Sequence, residues 1–83
     1  MYTTKQLKGN KQMRCKVRLD TMKDVNKFVS VVSNITDNVT LEDDEGHCVS
    51  ARSVLGALYS MEWANVYCKC DKDISAMILP WII

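Results

Sequence analysis

Val39-Thr40-Leu41-Glu42, then Asp43-Asp44-Glu45-Gly46, then His47-Cys48-Val49-Ser50, and finally Ala51-Arg52-Ser53-Val54-Leu55-Gly56-Ala57-Leu58 form one unbroken stretch whose reading decides the fold. The first four residues alternate apolar with polar and are rich in β-branching, which favours a half-buried strand. The next four are a turn, with Gly46 free to adopt a positive φ. His47 to Ser50 return as a second strand of a hairpin. Ser53 is then the natural N-cap of a short helix over Val54 to Tyr59, because its hydroxyl can accept a free N–H of the first turn.

Moving toward the N-terminus, Met13-Arg14-Cys15-Lys16-Val17-Arg18-Leu19 alternates apolar with basic throughout. Such period-two patterning predicts a strand with Cys15 and Val17 inward and Arg14, Lys16 and Arg18 in water. Asp20 and Thr21 are good N-cap residues, and Asp24 lies three positions after Thr21. Val25, Phe28, Val29 and Val32 recur at helical spacing, predicting a helix of about 21–34. Lys23, Asn26, Lys27 and Ser30 occupy its opposite face, and Asn34 with Thr36, Asp37 and Asn38 ends it.

Toward the C-terminus, Met61 to Asn65 read as a connection, and Val66-Tyr67-Cys68-Lys69-Cys70 as a fourth strand with Val66, Cys68 and Cys70 buried. Asp71 or Asp73 is expected to cap a last helix whose face is Ile74, Met77 and Ile78. Pro80 should stop that helix, leaving Trp81-Ile82-Ile83 to fold back onto the core. The predicted order is βαββαβα. Strands with one wet face imply an α+β protein with three helices on one side of a four-stranded, mostly antiparallel sheet.

The 83 residues suffice for one core. The reading divides them into a flexible basic arm, 1–12, and a domain, 13–83. A hydrophobic fraction of 47% and a mean hydropathy of -0.14 exclude a disordered chain. No apolar run approaches the roughly 18 residues of a membrane helix, and no apolar leader core follows Met1. The cytoplasm is therefore the expected compartment. Net charge is +1, yet residues 1–19 hold Lys5, Lys8, Lys11, Arg14, Lys16 and Arg18 and no acid. A basic arm of this kind can meet nucleic acid, although no aromatic residue beyond Tyr2 interleaves with it. Cys15, Cys48, Cys68 and Cys70 contain no C-x-x-C pair, so a zinc site is not expected and no cofactor is implied.

The hairpin and the Ser53 segment resemble the HPr family, the histidine-containing phosphocarriers of the phosphoenolpyruvate-dependent sugar phosphotransferase system of bacteria. Ala51 to Leu58 is similar to the family's "AKSILGLL"-type helix opening, and the resemblance covers about residues 13–83. It implies an open-faced β-sandwich with strand order 1-4-2-3. In that family the phosphoryl group rides on a histidine within His-x-Arg-Pro at the start of the first helix. The corresponding residues are Thr21-Met22-Lys23-Asp24. A threonine phosphate ester is too stable to relay, and Asp24 repels phosphate where the family's arginine neutralises it. The expectation is therefore a regulatory or partner-binding protein of sugar transport, not an enzyme.

Ser53 matches the serine that a dedicated kinase phosphorylates in many Gram-positive members, and phosphate at a helix N-cap is electrostatically favourable. The family's partner surface maps onto Val54, Leu55 and Leu58, flanked by Met22 and Lys23; Leu58 also fits a core position. The expected partners are phosphotransferase-system proteins or an HPr-type serine kinase. His47, among Glu42, Asp43, Asp44 and Glu45, reads as a solvated hairpin residue, and the acidic turn lacks EF-hand spacing. Two alternatives remain. One is a nucleic-acid module using the arm and the Arg14-Lys16-Arg18 face. The other is a thiol protein using Cys68 and Cys70 beside Cys15.

Overall fold

A computed structural model describes residues 12–83. The elements are β1 (Met13–Val17), α1 (Met22–Val32), β2 (Val39–Glu42), β3 (Cys48–Ser50), α2 (Val54–Ser60) and β4 (Val66–Cys70), followed by a 3₁₀ turn at Leu79–Trp81. All strand pairings are antiparallel, and the sheet order is β1-β4-β2-β3. The expected basic arm lies outside the described residues except for exposed Gln12.

Register explains the two faces. Cys15, Cys68, Leu41 and Val49 form one row across the four strands, and Cys68 and Leu41 at its centre are fully buried. Beside it runs the row Lys16, Tyr67, Glu42 and Cys48, which points to the other side. Because side chains alternate along a strand, a one-residue slip would exchange these rows and put lysine in the core. The alternation read from β1 and β4 therefore specifies the pairing as well as the strands.

Helix α1 buries Val25, Phe28, Val29 and Val32, the four residues its periodicity selects. Thr21 Oγ1 accepts the Asp24 N–H at 3.1 Å, and Asp24 Oδ2 accepts the Asp20 N–H at 3.2 Å. This reciprocal pair fixes the helix start. At the other end Ser33 Oγ donates to the Val29 carbonyl at 2.7 Å, so the helix closes two residues before the expected Asn34.

The expected third helix does not form. Ile74 and Ile78 are buried as their spacing suggests, but Met77 between them is 52% exposed. The segment is a turn closed by the Met77 N–H on the Ile74 carbonyl, with Asp73 Oδ1 accepting the Ser75 N–H. Pro80 lies too soon after these residues for an α-helical turn to propagate. Beyond it the chain does fold back. Trp81 packs edge-on against Phe28 with ring centroids 5.4 Å apart. The Arg18 N–H donates to the Trp81 carbonyl and the Ile83 N–H to the Lys16 carbonyl, so Ile82 bridges Val17 on the outer side of β1.

Two glycines have structural work. Gly46 turns the hairpin at φ +94°, a region that residues with a Cβ adopt at a cost. Gly56 lets α2 approach β3: a Cβ there would stand 3.1 Å from both the Ser50 carbonyl oxygen and Val49 Cβ. Neither atom is the yielding end of a flexible side chain. Gly56→Ala would gain about 1 kcal/mol of helix propensity but incur about 1–3 kcal/mol of overpacking. The variant should unfold at lower urea concentration with an unchanged m value. Stabilisation would mean that the helix–strand approach is looser than described.

Candidate functional site

The helix starts and the hairpin turn carry the candidate residues. At the opening of α1, Thr21 is exposed, but its oxygen is engaged as the cap. Met22 beside it is 51% exposed, and Lys23 also faces solvent. At the opening of α2, Ser53 takes extended backbone (φ -94°, ψ 121°) and its Oγ accepts the Gly56 N–H at 3.1 Å. The capping role anticipated for Ser53 is present. Its side chain lies on an exposed residue beside two exposed apolar ones, Val54 at 40% and Leu55 at 79%. Leu58 is half-buried and packs against the core, so it serves the interior more than the surface.

A cluster that periodicity does not reveal sits beside α2. His47 stacks on Trp63 with centroids 5.5 Å apart and planes 21° from parallel. Tyr59 meets both rings edge-on, at 6.4 Å from His47 and 5.8 Å from Trp63. The three residues come from the turn before β3, from α2 and from the loop before β4. Only tertiary docking unites them. Trp63 packs against the core and also joins this ring cluster. Its Nε1 is buried and has no hydrogen-bond partner among the described residues.

Asp43 anchors the hairpin end of this cluster. Its Oδ1 accepts the N–H groups of Glu45 (3.0 Å) and His47 (2.8 Å), and its Oδ2 lies 2.7 Å from His47 Nδ1. Burial acts to raise the Asp43 pKa, but the hydrogen bonds from the His47 ring and from the two backbone N–H groups hold it below the ordinary carboxylate range. Donor atoms of Asp43, Glu45 and His47 all fall within 4.8 Å of one another. The Asp43 oxygens are already engaged by the turn, so this trio is accounted for as hydrogen-bonded hairpin structure.

On the open sheet face, Arg14 is committed to acids. Its Nε pairs with Glu42 Oε2 at 2.7 Å, its guanidinium reaches Asp44 at 3.9 Å, and its Cζ lies 3.9 Å above the Tyr67 ring. Arg18 lies 3.8 Å from Asp20. The basic stripe expected for nucleic acid is therefore partly neutralised where it is described. The thiol alternative also weakens: Cys68 and Cys70 are buried, and burial with two neighbouring thiols pushes Cys68 up to about 12. Little thiolate exists there at neutral pH. Among the described residues, no helix is long and apolar enough to cross a membrane.

Comparison with protein-family models, with curated proteins and with solved structures finds no match to this chain.

Two measurements check this geometry. With an aromatic disulfide reagent, exposed Cys48 should react first, while Cys68 and Cys70 should react only in denaturant; fast reaction of Cys68 in the native protein would contradict its burial. Because Asp43 has a depressed folded pKa, its contribution to stability is present above the ordinary carboxylate value and is lost as pH falls through the lower folded value. Asp43→Asn should therefore flatten the acid limb of a Tm-against-pH profile, and an unchanged limb would place the acid sensitivity elsewhere.

Proposed function

We propose that this protein is an HPr-like regulatory or partner-binding module of the phosphotransferase system that does not relay phosphoryl groups. The observation that carries the reading is the state of Thr21. At the helix opening where the family bears its histidine, a hydroxyl accepts the Asp24 N–H, and Asp24 itself brings negative charge. An alcohol so placed has neither the nucleophilicity nor the labile N–P chemistry of an imidazole. His47 is no substitute, since its Nδ1 lies against Asp43 and its ring lies on Trp63.

The strand order β1-β4-β2-β3 and the Ser53 cap agree with the resemblance of the Ser53 segment to the family. A short helix that leaves Val54 and Leu55 in water, with Met22 nearby in the family's arrangement, supports docking. Exposed apolar groups of this size are usual at interfaces. Phosphate on Ser53 would exchange a neutral cap for a dianion on the helix start, where the free N–H groups and dipole favour it.

The purified chain should take no acid-labile phosphate from phosphoenolpyruvate and the first enzyme of the system. With ATP and an HPr-type serine kinase, acid-stable phosphate should appear on Ser53 and vanish in Ser53→Ala, as read by mass spectrometry. Acid-labile phosphate on His47 would overturn the proposal.

A further inference from the structure

The apolar face of α2 does not end at Leu55. Tyr59 lies one turn further on, and residues four apart share a helix face. Tyr59 is 54% exposed and Leu55 79%, so the two present a continuous exposed strip. That strip runs onto the His47 ring through the edge-on contact with Tyr59, and His47 leads to the acidic turn. The surface is therefore apolar at one end, aromatic in the middle and acidic at the other.

Its charge is only partly compensated. Residues 42–62 contain Glu42, Asp43, Asp44, Glu45 and Glu62 against a single arginine, Arg52. That guanidinium is spent on the backbone carbonyls of Ile35 and Asp37. Arg14 neutralises Glu42 and approaches Asp44 from the sheet face. Glu45 and Glu62 form no ion pair among the described residues. Glu45 has a carboxylate oxygen within 4.8 Å of the His47 ring nitrogen, and Glu62 donates its N–H to the Tyr59 carbonyl at 3.1 Å. Glu45 thus places a carboxylate at the His47 end of the aromatic cluster, and the Glu62 backbone adjoins its Tyr59 end.

We infer that this face docks a basic protein segment that presents an arginine next to an apolar side chain. The apolar group covers Leu55, and the guanidinium lies on the Tyr59 ring with Glu45 and Glu62 as its counter-charges. Arginine suits the role better than lysine because its planar, weakly hydrated cation stacks on an aromatic face while its edge still pairs with a carboxylate. The protein already contains that arrangement once, in Arg14 above Tyr67 with its Nε on Glu42. The inference rests on reading α2 as a docking face and adds the chemistry of what docks there.

The test titrates the full-length, isotope-labelled chain with a synthetic helical peptide of alternating leucine and arginine pairs, and with the same peptide carrying glutamate for arginine. The arginine peptide should shift the amides of Glu45, His47, Leu55, Tyr59 and Glu62 and the Trp63 indole, with the core Trp81 indole as the unmoved reference. Its affinity should drop at least about tenfold in the double variant Glu45→Lys, Glu62→Lys, a loss typical of removing central contacts, and it should fall as salt rises. Leu55→Asp should weaken it without lowering Tm. If the glutamate peptide binds equally well through Leu55, the charge inference fails while the docking reading stands. If neither peptide moves Leu55, both fail. Shifts at this face on concentrating the protein alone would assign it to a second copy and overturn the inference.

Discussion

The sheet depends on β4. Strands β1 and β2 do not pair with each other; each pairs with Val66–Cys70, which lies between them. The first and second strands are therefore joined by the last one to appear in the chain. Cys68 sits opposite both Cys15 and Leu41, so one small, fully buried side chain lies where three strands meet. A larger residue at that crossing would lift the helices, and a polar one would leave an unmet hydrogen-bonding group inside. Long-range pairing of this kind also makes the loop-closure entropy of the chain fall due late in folding.

From that crossing the surface features follow. With β4 central, β2 and β3 project as a hairpin at one side, and α2 lies over β3 by virtue of Gly56. The connection from α2 back into β4 carries Trp63 under the hairpin turn, which brings His47 against it. The ring cluster is thus a consequence of the route that the chain takes between its third and fourth strands. The two helix caps are simpler, since Thr21 and Ser53 act within four residues of themselves.

Local signals were legible in the sequence because they are set locally. The bounds of β4, the buried face of α1, the Gly46 turn and the Ser53 cap all follow from period or capping chemistry within a few residues. The C-terminal region misled because Ile74, Met77 and Ile78 have helical spacing over barely one turn, too short to outweigh nucleation without packing. There the core accepted Ile74 and Ile78 from a non-helical path and left Met77 outside. The stacking of His47 on Trp63 has no local signature at all, and neither does the commitment of Arg14 to Glu42. Both depend on where distant segments come to rest. Of the candidate site, the caps and the exposed Val54 and Leu55 were readable, whereas the aromatic continuation through Tyr59 was not.

The bonds from the last residues to Lys16 and Arg18 have a further bearing. A sheet margin with free N–H and carbonyl groups invites strands from neighbouring molecules. Here Ile82 occupies part of the β1 margin, so the chain blocks its own template for intermolecular stacking. The opposite margin, β3, is only three residues long and is bordered by the acidic turn, where like charges on two molecules would repel. Resistance to fibre-like growth is thus divided between a plugged rim and a short, charged one.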